Sequence, residues 1–471
     1  MNLITPPNLP RLSLMRRRSV LGLGALSALS LSAVNHRVWA QALPPGVAAR
    51  SALDSGRLVV VFLRGAYDGL SAFAPYADRD YYANRPNIAI AAPDGSDQTS
   101  IRLDNTFALH PALSPLLPLW RQGVFSFVPA AGLPSPNRSH FDAQYQMEIA
   151  QTGKSSSAPG WLNNLAGLRV PVAGNPPSPA ALGVGEANPA ILGGPAPVKL
   201  IPRGQAAERT GVLANDKTRQ ALLDLYAGND PVSEAFRQGA GSRMQSAQEL
   251  SIEKSADYGR RELAAREGKR MADSRLDRDG TPANAQAQSA QMLAASNGAA
   301  DPVGLQLDAQ HLGTLMRNDR GLRLGFLSAG GWDTHANQGA MAGQLANNLG
   351  NLARGIAQLR QDFSEPGDVI VVMSEFGRTA SENGTRGTDH GFGNALWLIG
   401  NRVAGGRWHG QWTGLSRANL NENRDLPAHH DYRAVLAQVL RGTFALSDSQ
   451  LARALPNTNW DRQLDGLLKR A

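Results

Sequence analysis

The sequence predicts an α/β protein with a doubly wound, mostly parallel central sheet and a helical insertion. Short apolar segments of the kind that form covered strands, and an amphipathic helical pattern between two of them, predict the sheet. A change of composition over about residues 202–300 predicts the insertion. The chain has 471 residues, 42% of them hydrophobic, and is therefore long enough to bury a sizeable core.

Five apolar segments are predicted to be strands. Segments 58–63 (LVVVFL) and 369–373 (VIVVM) are continuously apolar and rich in valine, as expected of strands that helices cover on both faces. Segments 124–128 (VFSFV) and 322–327 (LRLGFL) are two further strands, and 396–399 (LWLI) is a weaker fifth. Their length and composition favour strands in a parallel sheet.

A helix is predicted over 339–360, where Leu345, Leu349, Leu352 and Ile356 recur at spacings of four, three and four. It lies between the third and fourth predicted strands, and a strand-helix-strand order favours a parallel sheet.

The predicted insertion, about 202–300, is rich in Ala, Gln, Arg, Glu and Ser and poor in strand formers. This composition predicts one or two surface helices. The end of the insertion, 281–300, is low in complexity, and we interpret it as a mobile loop or a lid.

The N-terminus has the features of a twin-arginine secretion signal. Arg17 and Arg18 are followed by a spacer and by the apolar stretch 20–34, which is short for a bilayer span. Small residues after this stretch predict that signal peptidase removes residues 1–42; an uncleaved membrane anchor is the alternative. We expect the twin-arginine translocase to export the chain, leaving 43–471 as an α/β domain in the periplasm or outside the cell, without a stable membrane span.

Charge and composition exclude several classes of function. The formal net charge is +8, but residues 1–42 carry five arginines and no acid, which leaves +3 for the rest of the chain. That charge is too small to indicate a nucleic-acid partner. The absence of cysteine excludes disulfides, thiolate metal ligands and a cysteine nucleophile.

Polar residues suited to chemistry follow each strong predicted strand. Because ligands bind beyond the carboxyl ends of parallel strands, we expect these residues to meet at one edge of the sheet. Carboxylates and imidazoles that meet in this way are the ligands of a divalent metal ion. The predicted metal ligands are Asp68, Asp333, His335, Glu375, Asp389 and His390.

Each of these residues also has a purely structural interpretation. Asp68 precedes a glycine and fits a turn, Glu375 can cap a helix, and Asp389 lies in a glycine-flanked loop. Asp333 and His335 are two residues apart, so that in an extended segment they face the same way and can chelate one ion. Their coincidence at the ends of several strands favours the functional interpretation.

Ser139 is the candidate nucleophile. A hydroxyl at a helix N-terminus lies beside backbone N–H groups that attract anions, and near a metal it can ionise. Its structural alternative is a helix cap, and His140 and Ser135 are competing candidates for the catalytic role. Arg138 and Arg378 are candidates for stabilising negative charge in the transition state.

The remaining polar residues considered lie outside these segments. Asp431 is predicted to cap a C-terminal helix, and His429 and His430 are predicted to be surface residues rather than ligands. No role is assigned to His110, His311 and His409.

The motifs RGAYDG, NRSHF, GWDTH, SEFGRT and GTDHG, after a twin-arginine signal, resemble a bacterial family known as domain of unknown function 1501. The resemblance runs from about Leu58 to the C-terminal helix and leaves out much of the insertion. That family resembles a branch of the alkaline phosphatase and sulfatase superfamily. The resemblance implies a central sheet that carries a two-metal site, with a serine or threonine nucleophile between the ions.

The resemblance also implies roles by position. Asp68 matches a ligand of one metal, Asp333 and His335 match ligands of the other, and Ser139 falls near the nucleophile. Sulfatases of the aldehyde-forming kind need Cys or Ser where this chain has Pro134, so the resemblance favours phosphate-ester or related chemistry over that subclass.

The chain departs from the superfamily pattern at one position. Glu375 lies where the superfamily has the Asp of an Asp-His pair, and Phe376 takes the place of the His. Asp389 and His390 either supply the missing ligands or match the last superfamily histidine. A one-metal or degenerate site is therefore an alternative to a two-metal site.

The function predicted from the sequence is that of an exported, metal-dependent hydrolase of small anionic esters, phosphate or sulfate, that uses a metal-activated serine or water. The cofactor is expected to be one or two divalent ions of zinc, manganese, iron or calcium. The alternative is a non-catalytic periplasmic binding or assembly protein on a degenerate hydrolase fold. A Ser-His-Asp esterase is disfavoured because no G-x-S-x-G motif follows a predicted strand.

Overall fold

An eight-stranded sheet forms the centre of a mixed α/β fold in the computed structural model, which describes residues 52–153, 155, 157–169, 178–265 and 283–469. The predicted signal, residues 1–42, lies outside this part of the chain. The strands, in chain order, are β1 Leu58–Leu63, β2 Phe73–Ala74, β3 Ile101–Arg102, β4 Ala108–Leu109, β5 Phe125–Gly132, β6 Ala181–Val184, β7 Val198–Ile201, β8 Leu324–Ala329, β9 Val369–Ser374, β10 Asn394–Gly400 and β11 His430–Asp431.

Twelve α-helices accompany these strands in the described residues. They are α1 Gly69–Ala72, α2 Arg79–Asn84, α3 Leu117–Arg121, α4 His140–Ile149, α5 Trp161–Ala166, α6 Asp216–Leu225, α7 Pro231–Ala265, α8 Ala283–Ser296, α9 Leu305–Asn318, α10 Gln344–Asp362, α11 Tyr432–Phe444 and α12 Asp448–Ala454. Short 3₁₀ helices cover Ala52–Ser55, Pro111–Leu116, Ala190–Leu192, Gly204–Ala206, Gly211–Ala214, Arg417–Asn419 and Arg462–Leu464. None of the helices in the described part of the chain is both long and apolar enough to span a bilayer.

The large sheet has the strand order β11-β5-β10-β9-β1-β8-β6-β7, and β2, β4 and β3 form a small antiparallel sheet. β1 lies between β8 and β9 and pairs in parallel with both, with Val60 opposite Phe326 and Val371. β10 runs antiparallel to β9 and β5, whereas the other pairs of the large sheet are parallel. All five predicted strands are therefore confirmed, as is the mostly parallel sheet.

Helices cover the central strands on both faces. Leu58, Val60 and Phe62 belong to one core with residues of α11, and the alternate residues of β1 belong to a second core with residues of α9 and α10. This two-sided burial explains why β1 and β9 are continuously apolar. The predicted helix over 339–360 is α10, whose Leu345 and Leu349 are buried as the spacing indicates.

The stretch predicted as an insertion contains α6, α7 and α8 and has no strand among its described residues after β7. The low-complexity segment 281–300 was interpreted as a mobile loop or a lid. In the structure it forms α8 from Ala283 to Ser296, in agreement with the high helix propensity of alanine and glutamine.

Parallel pairing places the carboxyl ends of β5, β9, β1 and β8 at one edge of the large sheet, together with the amino end of the antiparallel β10. The loops that carry the predicted polar residues leave the sheet at this edge.

Candidate metal centre

Three side chains converge at this edge, from α4 and from the loops that follow β8 and β9. They are His140, Asp333 and His390, whose ligand atoms lie within 4.8 Å of one another. The Nε2 atom of His140 is 2.9 Å from Nε2 of His390 and 3.4 Å from Oδ1 of Asp333. His335 adjoins them, with its Nε2 2.9 Å from Asp333 Oδ1 and 3.0 Å from His390 Nε2.

Local structure explains how each residue reaches the cluster. His140 is the first residue of α4, which Ser139 caps by accepting a hydrogen bond from the Asp142 amide. Asp333 lies in the loop after β8. His390 lies in the turn between β9 and β10, held by a backbone bridge to Arg378.

Each of the three histidine rings is oriented by a hydrogen bond at its other nitrogen. Nδ1 of His140 lies 2.7 Å from Glu375 Oε1, and Nδ1 of His335 lies 2.9 Å from Asp389 Oδ1. Nδ1 of His390 lies 2.9 Å from the main-chain oxygen of residue 138. An ionised carboxylate and a carbonyl oxygen only accept, so Nδ1 carries the hydrogen in each ring. In the neutral ring Nε2 then presents a lone pair to the cluster.

The spacing of these atoms fits a common ligand position for a metal ion. An ion about 2.0–2.1 Å from nitrogen and oxygen ligands places neighbouring ligands about 2.9–3.4 Å apart, depending on whether the geometry is octahedral or tetrahedral. The separations among His140 Nε2, His390 Nε2 and Asp333 Oδ1 run from 2.9 to 3.4 Å. Nitrogen and carboxylate donors suit zinc, manganese or iron.

The cluster has strongly perturbed protonation equilibria. Burial opposes ionisation of Asp333, but hydrogen bonds from the three histidines and the charge of Arg378 outweigh it, so the pKa of Asp333 is held far below its ordinary value. Burial also disfavours the charged ring of His140, yet its hydrogen bonds to Asp333 and Glu375 raise its pKa to about 9. Without a metal ion the cluster therefore binds protons, which a divalent cation would displace.

Glu375 and Asp389, both predicted as ligands, lie behind the histidines. Glu375 is fully buried, and its Oε1 also accepts from the Gly65 amide at 2.8 Å. Asp389 is half-exposed and accepts a hydrogen bond from the Asn383 amide group at 3.0 Å as well as from His335. Both carboxylates orient a histidine ring.

Gln144, which was not among the predicted site residues, links Glu375 to helix α8 of the insertion. It lies one turn after His140 on α4, and its Nε2 donates to Glu375 at 2.9 Å and to the carbonyl of Ala295 in α8 at 2.7 Å. Its Oε1 accepts from Arg64 at 3.0 Å, and Arg64 is itself buried between two glutamates. The spacing of four from His140 is the signal that places Gln144 on the same helix face.

The structure does not bring Asp68 or Arg378 to the positions predicted for them. The Asp68 carboxylate is buried in a two-point ion pair with Arg85, at 2.6 and 3.1 Å, and also accepts from Gln338. Arg378 is buried and donates to Asp333 Oδ1 at 2.7 Å, with its other nitrogens bonded to Thr388. Asp68 therefore lies outside the cluster, and Arg378 holds Asp333 in place.

A cavity of about 640 Å³ opens onto the cluster. Ser139 and Arg138 line it together with the histidines. Arg138 is partly exposed and pairs with Glu422 at 2.8 Å and with Asp425 at 3.2 Å. Ser139 is thus both a helix cap and a residue of the cavity wall, as the two interpretations of the sequence allowed.

Phe376 is buried against the cluster. Its ring centroid lies 4.8 Å from that of His140 and 5.1 Å from that of His390. In the described residues, the only group of at least three acidic or histidine side chains with metal-binding geometry is His140, Asp333 and His390.

The comparison with protein families bears on this architecture. The model of a family described as "Protein of unknown function (DUF1501)" matches residues 55–455. The chain belongs to this family. No curated protein matches the chain.

Outside the cluster of this DUF1501 chain, the C-terminal predictions have mixed outcomes. Asp431 caps α11 by accepting from the Arg433 amide, as predicted. His430 is fully buried and bonded to Asp461 at 2.7 Å, so the prediction that it is a surface residue was wrong. The partner of His430, Asp461, lies beyond α11 in the sequence. No local sequence pattern reveals a pair at this separation.

Proposed function

We propose that the protein is a metal-dependent hydrolase that binds one divalent cation between His140, Asp333 and His390, with His335 as a further ligand. The observation that supports this proposal is the arrangement of the rings: three imidazoles commit Nδ1 to an acceptor and direct Nε2 to the same carboxylate oxygen. Lone pairs that meet without a proton or a cation between them repel one another, so this geometry favours a bound cation.

The access to the cluster favours a catalytic site over a structural one. Structural zinc sites are closed by four protein ligands, whereas catalytic sites keep a position open to substrate. The side chains of His335 and His390 are 28% and 24% exposed, and both line the cavity. A substrate that enters the cavity therefore meets the ligand set directly.

The chemistry we propose is hydrolysis of small anionic esters, of phosphate or sulfate. A divalent cation supplies a Lewis acid that polarises the ester and lowers the pKa of a bound water or hydroxyl. Ser139 lies at the same wall as a hydroxyl that can be activated, and the N-terminus of α4 favours an anion. Arg138 is the cavity arginine for the anion, since Arg378 is committed to Asp333.

We propose a single cation rather than two, on an alkaline-phosphatase-like fold. The mostly parallel sheet with ligands after its strands supports that fold. Asp68 and Phe376 lie at positions where the superfamily has ligands of metal ions. Asp68 is paired with Arg85, and Phe376 has an apolar ring, so both residues support a single cation. Export by the twin-arginine pathway to the periplasm is part of the proposal and rests on residues 1–42.

Elemental analysis of purified protein tests the proposal. We expect about one equivalent of zinc, manganese or iron, lost in His390→Ala and in Asp333→Asn. His429→Ala, at a half-buried histidine outside the cavity lining, serves as the matched control and should keep the metal. Hydrolysis of 4-nitrophenyl phosphate and 4-nitrophenyl sulfate is then measured on the same samples.

The outcomes separate the candidate functions. The proposal is supported if the wild type holds metal and hydrolyses an ester, and if both cluster variants lose the metal and the hydrolysis. Metal without hydrolysis of either ester contradicts the enzymatic part and favours a binding protein. A folded wild-type protein that holds no metal, even after incubation with zinc, manganese and iron in turn, contradicts the metal site itself.

A further inference from the structure

We propose that the cavity selects esters that carry a flat, apolar group, such as an aryl ring, and holds that group between Phe141 and α8. This inference rests on the proposed function, because the cluster would bind the anionic part of the same molecule.

Phe141 is the first observation that supports it. Its side chain is 55% exposed, although large apolar side chains are normally buried, and it lines the cavity. Phe141 follows His140 directly in the first turn of α4, so it is the next residue in the chain after a proposed metal ligand. An exposed aromatic ring in the wall of this cavity offers a stacking surface for the part of a substrate that the cation does not bind.

Helix α8 forms another part of the cavity wall and is fixed in place. Ala294 and Ala295 of α8 line the cavity, together with the uncharged Gln291 of the same helix. The carbonyl of Ala295 accepts from Gln144 at 2.7 Å, and Ser296 Oγ accepts from the Gly331 amide at 3.0 Å. These bonds tie α8 to α4 and to the loop after β8, so the wall keeps its distance from the cluster.

Charge and volume indicate that the group between these walls is uncharged. In the cavity lining that the structure describes, the one arginine is Arg138, which also pairs with Glu422 and Asp425 and which the proposed function assigns to the anionic part of the ester. The lining has no lysine, and its acidic residues are Asp333 and Asp389. A second anionic group would therefore find no free positive charge. The volume of about 640 Å³ lies in the range of sites that bind drug-sized ligands.

Binding of phenylphosphonate and methylphosphonate to Zn²⁺-supplemented protein tests the inference by calorimetry, which needs no turnover. We expect the phenyl compound to bind at least about tenfold more tightly, as a buried aromatic contact predicts. Phe141→Ala should remove most of this ratio, whereas Phe141→Tyr should keep it. Val212→Ala, at another exposed apolar residue, should leave it unchanged.

Turnover of 4-nitrophenyl phosphate by the same variants gives a second readout. Phe141→Ala should raise KM about tenfold with little change in kcat, because the ring binds a group remote from the reacting bond. Equal affinity for both phosphonates, or a ratio that Phe141→Ala preserves, overturns the inference while hydrolysis still supports the proposed function. If neither phosphonate binds and no ester is hydrolysed, the proposed function fails and the inference falls with it.

Discussion

Glu375 accepts a hydrogen bond from Nδ1 of His140 at 2.7 Å, and this bond joins the end of β9 to the start of α4. The same carboxylate accepts from the Gly65 amide and from Gln144, so its position is determined from three sides. Burial raises the pKa of Glu375, but the hydrogen bond and charge of His140 outweigh it, and the pKa is lowered. A fixed, ionised carboxylate behind a ligand ring makes the ring a better donor to a cation.

We therefore expect Glu375→Gln to weaken cation binding about 10- to 100-fold, as is usual for a carboxylate behind a metal-binding histidine. The affinity is measured by competition with a chelator of known strength. Glu365→Gln, at an exposed glutamate, is the control and should bind the cation like the wild type. Unchanged affinity in a folded Glu375→Gln protein would show that His140 does not need this acceptor.

Much of the fold could be predicted because the strands are covered on both faces. An uninterrupted apolar segment such as Leu58–Leu63 has few alternatives to a buried strand, and α10 between β8 and β9 indicated parallel pairing. Parallel strands end at one edge, which is why Asp333 and His390 could be expected near each other although their sequence separation is large.

The partner of each charged residue could not be predicted, because long-range pairs leave no local pattern. Asp68 has the residue type of a metal ligand, and nothing in its neighbourhood indicated the ion pair with Arg85. Glu375 and Asp389 were expected to contact the cation, but the structure makes them acceptors of histidine Nδ1 atoms. The exposure of Phe141 was equally hidden, since an apolar residue in a helix is usually buried.

The Asp68–Arg85 pair makes a prediction about pH. Burial opposes ionisation of Asp68, but the charge and hydrogen bonds of Arg85 lower its pKa below the ordinary 3.8. A carboxylate whose pKa is lowered by folding stabilises the fold fully when the pH is above its pKa in the unfolded chain. This stability is lost as the pH falls through its pKa in the folded chain. Asp68→Asn leaves the buried Arg85 without its partner charge and should cost about 3–5 kcal/mol at pH 7.

Urea unfolding between pH 7 and pH 3 measures this effect. The difference in the free energy of unfolding between wild type and Asp68→Asn should stay constant down to about pH 4. It should then become smaller, because the wild type alone loses the charge interaction. Asp216→Asn breaks the exposed pair with Arg219 and should cost less than about 1 kcal/mol. A difference that remains constant to pH 3 in proteins that still fold would contradict the assignment of the pair.

The position of α8 depends on Ser296. Its Oγ accepts a hydrogen bond from the buried Gly331 amide at 3.0 Å and donates one to the Met292 carbonyl at 2.7 Å. Ser296→Ala leaves the Gly331 amide unpaired, at a cost of about 1–3 kcal/mol. Hydrogen exchange should then rise in 290–296 and around Gly331. Ser246→Ala is a matched control, because Ser246 is buried and its Oγ donates to the Ser242 carbonyl within its own helix. Equal exchange in both variants would mean that α8 is held by other contacts.

Gly387 packs directly against the backbone of His335, and this contact gives the last prediction. A Cβ atom at Gly387 would lie 2.3 Å from the carbonyl carbon and oxygen of His335, so Gly387→Ala must displace one of the two segments. Overpacking of this kind costs about 1–3 kcal/mol. Since His335 adjoins the cluster, the affinity for the cation should fall together with the thermal stability.

Gly384 lies three residues earlier in the same loop, and a Cβ atom there would meet nothing within 4 Å. Gly384→Ala should therefore match the wild type in melting temperature and in chelator competition. The pair of variants separates a contact effect from a general effect of stiffening the loop, since both replace glycine with alanine. If both variants lose the cation equally, the loop acts through its flexibility, and the packing of Gly387 on His335 is not what positions the ring.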